Sequence, residues 1–393
     1  MPDAPVPVPT GVAGVSRIRG WMRWTWPVPA VVVIVANAIA VSVLAGADVY
    51  TWSLILIYGL FASSTNILFG WVGRASFGQA AFFGTGAYMV AFLREHDVPP
   101  LLALLVGLGA GVVLGIPLLI LLRRSSGITF AMITLIVAQI LYQLVFTNRR
   151  LGGETGLSGI TVTSVLGQDL TSYTAFSWYV ASVVAIAMVV LWRLSESSFG
   201  MSLRAVRDDE TKAAIVGIPV RRAQAIAFLV AGGLAGLAGA MLAQVQSTVS
   251  ADLLFWTVSG NAVIMCLLGG RYRFWGPFLG AAVFVSVQNA FLQTGALSDL
   301  LIGAVFLAIV LVVPDGILGS VSPDRIGELV RRARTSRGLG APVTGPPKST
   351  VDNSAGGAGS GGDADPAPAP RRGPAQEPAR TGPDRGRPGK GAS

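Results

Sequence analysis

Of the chain's 393 residues, 52% are hydrophobic and only 12% charged, against roughly 25% charged in a soluble domain, which excludes an ordinary cytosolic enzyme. One cysteine and one histidine leave no disulfide framework and no ligand cluster for zinc or iron, so neither metal nor other cofactor is expected. The net charge of +9 is spread between apolar runs and over the C-terminal segment, without the stripe or motif of a nucleic-acid binder, so no nucleic-acid partner is expected.

A helix needs ~20 apolar residues to cross the ~30 Å hydrocarbon layer. The runs that qualify are 28–46, 50–70, 75–93, 99–122, 127–147, 172–192, 224–246, 253–270, 274–294 and 297–313. Together they define an all-α, polytopic membrane protein with about ten transmembrane helices over residues 28–313. Residues 1–27 precede the first run. That run ends in Ala45-Gly46-Ala47, as a secretory signal does, but it exceeds the 7–15 residues of a signal core and reads as an uncleaved anchor. Gln79, Ser259 and Asn261 dilute the third and eighth runs.

Short cytoplasmic loops are enriched in Lys and Arg. With the N-terminus inside, the inner connections hold Arg74, Arg123, Arg124, Arg193, Arg204, Arg207, Lys212, Arg221, Arg222, Arg271 and Arg273, and the outer ones only Arg94, Arg149 and Arg150. Both termini are then cytoplasmic. Residues 314–335 form a juxtamembrane segment. From 336 to 393 the chain is rich in Pro, Gly, Ala and Arg, too poor in apolar residues to offset its ordering entropy, and reads as a disordered cytoplasmic tail. In it Gly340 and Gly345 followed by Lys348-Ser349 echo a phosphate-binding loop, but Pro346 and Pro347 break the spacing, so ATP, if used, must be bound by another chain.

Five acids, Asp48, Asp97, Asp169, Asp252 and Asp299, fall near the ends of runs and none near a midpoint. A transporter driven by protons or ions usually places an ionisable group at depth, so this distribution argues for energy supplied by a partner. Neutral polar residues do occur inside the runs. Most such side chains bond to neighbouring helices, and a minority line a hydrated, uncharged path. Gln79, Thr134, Gln139 and Asn261, with Ser76 at the head of the third run, are the candidate substrate-pathway residues. Small residues four apart occur at Ala80 and Gly84, beside Gly78 and Gly86, and at Gly232, Gly236 and Ala240. Close helix packing is their default meaning, and a path wall the alternative.

The outer connection 148–171 contains Gly152, Gly153, Glu154, Thr155 and Gly156, too glycine-rich for a helix. It is either a docking surface or a flexible loop without a partner. The longest inner connection, 193–223, contains a short helix from Asp208 onward. Asp208 can cap it, Asp209 and Glu210 suit its positive end, Gly217 suits the left-handed C′ position and Pro219 forbids continuation. A two-turn helix is unstable alone in water, so it lies against something, with Ala213 and Ala214 allowing close approach. It either docks on a cytoplasmic ATPase or caps its own bundle.

The stretches GRASFGQAAFFGTGAY (73–88), GITFAMITLIVAQI (127–140), GGETGLSGI, the segment 199–239 and LLGGRYRFWGPFLGA (267–281) resemble the M-type permease subunits of bacterial branched-chain amino-acid importers. The resemblance implies a permease translocating branched-chain amino acids across the cytoplasmic membrane. Its implied partners are a homologous H-type permease, two cytoplasmic ATP-binding subunits and an extracytoplasmic solute-binding protein. Catalysis is then expected on the separate subunits, not on this chain. Arg204, Asp208, Glu210, Ala213 and Gly217, with Ala214, match the ATPase-docking segment, although Thr211 and Lys212 separate the acid from the alanine pair. Related permeases carry urea, short amides or other amino acids. A stand-alone secondary transporter is the rival reading, and an intramembrane enzyme lacks the paired carboxylates or Ser/Lys pair it would need.

Overall fold

The computed structural model describes residues 28–44, 47–93, 98–122, 125, 127–160, 164–165, 168–170, 172–291, 298–312 and 316–317. The N-terminal 27 residues and the 336–393 tail lie outside the described residues, as do Arg94, His96, Arg123 and Arg124. Apolar helices follow the predicted runs: α1 (Val28–Val43), α2 (Ala47–Asn66), α3 (Gln79–Leu93), α4 (Pro100–Leu122), α5 (Gly127–Thr147) and α6 (Tyr173–Glu196). Two short helices follow, α7 (Ser198–Asp208) and α8 (Glu210–Ile215), and then α9 (Val220–Gln246), α10 (Trp256–Gly269), α11 (Gly276–Phe291) and α12 (Ser298–Val312).

Among the described residues, five segments are long and apolar enough to cross a bilayer by themselves: Asp48–Val72, Pro100–Ile120, Gly127–Thr147, Tyr173–Glu196 and Val220–Gln246. The others run 14 to 16 residues. The two runs diluted by polar residues are both shorter than expected, and the reason is local. After α2 the chain continues as a π-helical turn (Ile67–Val72), stops at Gly73 with φ 80°, and crosses to Gln79 without helical structure. Irregular backbone at membrane depth survives only where protein groups satisfy it. Here the Thr134 hydroxyl accepts from the Phe77 N–H at 3.2 Å, and the Ser259 hydroxyl accepts from the Ala80 N–H at 2.7 Å.

Helix α9 is the axis of the bundle, with every residue from Ala231 to Gln244 buried. Glycine makes this possible, since lipid offers no hydrophobic drive and helices must associate through close packing. A Cβ on Gly86 of α3 would overlap the Gly236 carbonyl, one on Gly239 would overlap the Phe83 carbonyl, and one on Gly111 of α4 would overlap the Gly232 carbonyl. The small-residue faces of the third and seventh runs are therefore packing faces. Their partner on α4, the Gly107, Gly111 and Gly115 series at four-residue spacing, belongs to the same three-helix contact.

Buried polar side chains fasten the outer helices. Asn37 of α1 accepts from Trp52 of α2 at 3.1 Å and from Ser177 of α6 at 2.6 Å. Gln244 of α9 accepts from the Tyr179 hydroxyl at 2.9 Å and donates to the Pro100 carbonyl at 3.0 Å. Cys266 is fully buried with its thiol on the Ala62 carbonyl, a packing role without reactive chemistry.

Candidate functional site

The site with most internal structure lies at the end of the bundle that carries α7 and α8. Ser197 caps α7, its hydroxyl accepting from the Gly200 N–H, and α7 turns Leu203 and Val206 into the protein. The chain then breaks at Asp209, whose extended backbone (φ −163°, ψ 108°) separates the two helices. Asp209, not Asp208 as the sequence suggested, caps α8, its carboxylate accepting from the N–H groups of Thr211 and Lys212 at 2.9 and 3.0 Å. Asp208 is the last residue of α7 and pairs with Arg207 at 2.8 Å. These bonds, first the backbone N–H of Lys212, then its ammonium and then the Thr211 N–H, hold the Asp209 carboxyl below its ordinary pKa. The other end agrees with expectation. Gly217 has φ 93°, its N–H reaches the Ala214 carbonyl, and the Ile218 N–H reaches the Ala213 carbonyl, the double bond of a Schellman close.

Helix α8 has two faces. On the inner one Ala213 is 4% exposed, and Glu210 is gripped by Arg74 at 2.9 Å and by the Gln224 side-chain amide of α9 at 2.9 Å. Arg74 also reaches the Ser125 carbonyl and lies over the Phe130 ring of α5. On the outer face Ala214 and Gly217 are exposed, with Ile215 at 79% and Val216 at 82%.

The expected docking residues thus divide. Arg204 is spent internally, donating to the carbonyl and hydroxyl of Ser195, and Glu210 and Ala213 seat the helix on its own bundle. Asp208, Ala214 and Gly217 remain on the outer side. Sequence reasoning passed over Arg74, Gln224, Ile215 and Val216, and it took Arg207, with Arg204, Arg221 and Arg222, as available for acidic partners. Arg207 donates to the Gly70 carbonyl at 3.1 Å and lies over the Tyr272 ring, so it joins α7 to the π-helical turn and to the α10–α11 loop. The one available signal was a pair of large apolar residues inside an otherwise charged connection.

Three of the pathway candidates, Ser76, Gln79 and Thr134, meet at the head of α3. The Ser76 hydroxyl accepts from the Gly78 N–H, and Thr134 holds Phe77, so both support the irregular 73–78 segment. Gln79 is fully buried, and neither its amide oxygen nor its nitrogen has a hydrogen-bond partner. The Gln139 amide oxygen is likewise buried and unpartnered, while Asn261 on α10 is partly exposed. Ser259, two residues before Asn261, makes the contact to α3 instead.

At the opposite end, residues 148–160 of the glycine-rich connection form a defined structure. A 3-10 turn (Arg149–Leu151) leads into Gly152, Gly153 and Gly156, all at positive φ, and then β1 (Leu157–Ser158). Strand β1 pairs antiparallel with β4 (Thr248–Val249) just after α9, and β2 (Ser164–Val165) pairs with β3 (Gln168–Asp169). Gly153 is buried, leaving Glu154 and Thr155 exposed at the tip.

Apolar helices packed by glycine around one central helix, with a clamped short helix on the connection at one end, make this a multi-pass membrane permease. The family described as the branched-chain amino acid transport system permease component matches residues 48–310, and the chain belongs to that family. It is 25% identical to the high-affinity branched-chain amino acid transport system permease protein LivM of Escherichia coli (strain K12), over 69% of this chain and 70% of that one. It is 26% identical to LivH of the same system name from Salmonella typhimurium, over 40% of this chain and 51% of the relative. It is also 29% identical to the guanosine ABC transporter permease protein NupQ of Bacillus subtilis, over 37% and 45%. No solved structure matches the chain.

Proposed function

We propose that this chain is a permease subunit of an ATP-driven importer for branched-chain amino acids, fuelled by ATP-binding subunits that grip α8. Coverage supports the cargo: the branched-chain relative LivM aligns over 69% of the chain, and the guanosine relative over 37%. Likeness to both LivM and LivH supports pairing with a second, homologous permease. A soluble binding protein would deliver the solute to the β1–β4 end, where Glu154 and Thr155 are exposed. The α7–α8 end, which also carries Arg74, Arg204, Arg207, Arg221 and Arg222, would face the cytoplasm.

The observation that carries this reading is the two-faced α8. Its inner face is locked to the loop before α3 and to α9 near its start, while Ile215 and Val216 stand out in solvent where burial would be favourable. A groove on an ATP-binding subunit would cover that ridge. Its movement would pass through Glu210 to α3 and α9, which pack too closely at Gly86 and Gly239 to move separately. In the same transition the head of α3 would turn Gln79 toward the path, giving its unpartnered amide a solute or water to bind.

Replacing both Ile215→Asp and Val216→Asp tests this directly. Substitutions at exposed positions shift stability by only about 0.5 kcal/mol either way. The variant is therefore expected to reach the membrane with unchanged thermal stability, to lose the ATP-binding subunits on purification, and to lose uptake. Full retention of both subunits and uptake would show that α8 merely caps its own bundle.

A further inference from the structure

Beside α8 is a cavity of about 840 Å³ that the transport reading leaves unused. Its size lies within the ~300–1,000 Å³ of ligand sites. It arises where α4 and α9 part. The two helices touch at Gly111 and Gly232 and again at Gly115 and Leu229. Beyond that level α4 contains Pro117, which removes a backbone donor, and its last turns line one wall while the first turns of α9 line the other.

The lining is divided by chemistry. Ile116 and Ile120 of α4 are 51% and 69% exposed, continuous with the apolar outer surface of that helix, and Phe130 and Phe228 close the inner wall. At the mouth stand Arg221 and Arg222, both exposed. Arg74, also on the lining, is held by Glu210. Helix α4 ends at Leu122. At 1.5 Å per residue, Ile116 therefore lies about 9 Å along the axis from the end of the helix. With α4 read as a membrane span, the cavity joins two cations near the end of that span to an apolar slot reaching about two turns along it. A free amino acid or a soluble anion would leave that slot unfilled, and a water-soluble protein surface would have to enter the acyl layer to reach Ile116.

We infer that this cavity binds one anionic phospholipid, its phosphate between Arg221 and Arg222 and an acyl chain along Ile116 and Ile120. Basic pockets between transmembrane helices suit anionic headgroups, and two cations outweigh the zwitterionic lipids by charge alone. Thr211 and Ala214 also line the cavity, so the lipid would border α8 itself.

The test uses the full chain, purified with its companion subunits from membranes containing phosphatidylglycerol and phosphatidylcholine, with bound lipid counted by native mass spectrometry. The wild-type protein retains phosphatidylglycerol in preference to phosphatidylcholine, and excess glycerol 3-phosphate does not displace it. The pair Arg221→Gln and Arg222→Gln weakens retention roughly thirtyfold. The opposite-end pair Arg149→Gln and Arg150→Gln, which removes the same charge, leaves it unchanged. Ile116→Trp, which fills the slot and keeps both cations, also reduces retention. Thermal stability is measured for each variant, so that loss of lipid is scored only on folded protein. Equal retention in the Arg221/Arg222 variant, equal retention of phosphatidylcholine, or displacement by glycerol 3-phosphate would overturn the inference. So would loss of the ATP-binding subunits with lipid retained, which would assign the two arginines to a protein interface.

Discussion

Gln79 is a costly residue in the place it occupies. A buried polar group left without a partner costs about 1–3 kcal/mol, and here both ends of one amide are unpartnered. Replacing it by an apolar residue of similar length removes that cost. Gln79→Leu is thus expected to raise the unfolding temperature while lowering uptake, and a variant that keeps full uptake would remove Gln79 from the solute path. Asp209 makes a different prediction, one of pH. Its folded pKa is depressed by the bonds from Lys212 and Thr211, so its contribution is fully present above the unfolded carboxylate value of about 4 and is lost as pH falls through the lower folded value. Amide exchange over 210–217, corrected for intrinsic rate, should therefore stay flat from neutral pH to about 5 and lose protection only in stronger acid. In Asp209→Asn the protection should be weaker at neutral pH and no longer respond to acid. The existence of this cap was legible in the sequence, but its register was not. Asp208 and Asp209 are equally good cap residues, and the choice fell to the chain break that lets Arg207 reach Gly70.

Glycine spacing announced that α3 and α9 pack closely, and it did so correctly because a missing side chain has the same consequence wherever the backbone of a partner must approach. What spacing cannot supply is the partner. Gly107 and Gly111 of α4 carry as much of the contact as Gly86 of α3, yet in the sequence they are lost within a run so apolar that no face stands out. The trimmed ends of α3 and α10 were unreadable for a related reason. A run diluted by Gln79 or Ser259 looks like a poor span, whereas Gln79 is the first residue of α3 after the irregular 73–78 segment and Ser259 lies inside α10, holding the Ala80 N–H. The packing yields a sharp contrast between two substitutions of the same kind. Gly239→Ala would force its Cβ into the Phe83 carbonyl, with no flexible side chain to yield, while a Cβ on Gly109 meets nothing. The first should abolish accumulation of folded protein in membranes. The second should leave the melting temperature unchanged or higher, since Ala is the better helix former by about 1 kcal/mol. Equal behaviour of the two in a detergent thermal-shift assay would mean that the α3–α9 contact is not the one described.

The wiring between the connection and the bundle is carried by few groups, and one of them separates stability from transmission. Glu210 is 49% exposed and Arg74 16% exposed, so their ion pair resembles the surface pairs that contribute about 0–1 kcal/mol. It cannot be important as a stabiliser. Its position is another matter, because Arg74 stands on the segment that leads into α3 and Gln224, the other partner of Glu210, near the start of α9. A push on α8 can therefore reach the α3 segment and α9 together through one carboxylate. Arg74→Ala and Glu210→Ala should each leave the unfolding temperature within a few degrees of the wild type and leave the ATP-binding subunits attached through Ile215 and Val216. ATP hydrolysis should continue in both, but no longer matched to uptake, which should fall at least tenfold. Exchanging the charges in the double variant Arg74→Glu, Glu210→Arg should restore part of the uptake, since the pair is remade while the bond to Gln224 changes its donor. A structural role alone would predict no such rescue. If uptake in the double variant is as low as in the single ones while assembly stays intact, the stroke enters the bundle elsewhere, and Arg207, bonded to Gly70 and stacked on Tyr272, is the group left to carry it.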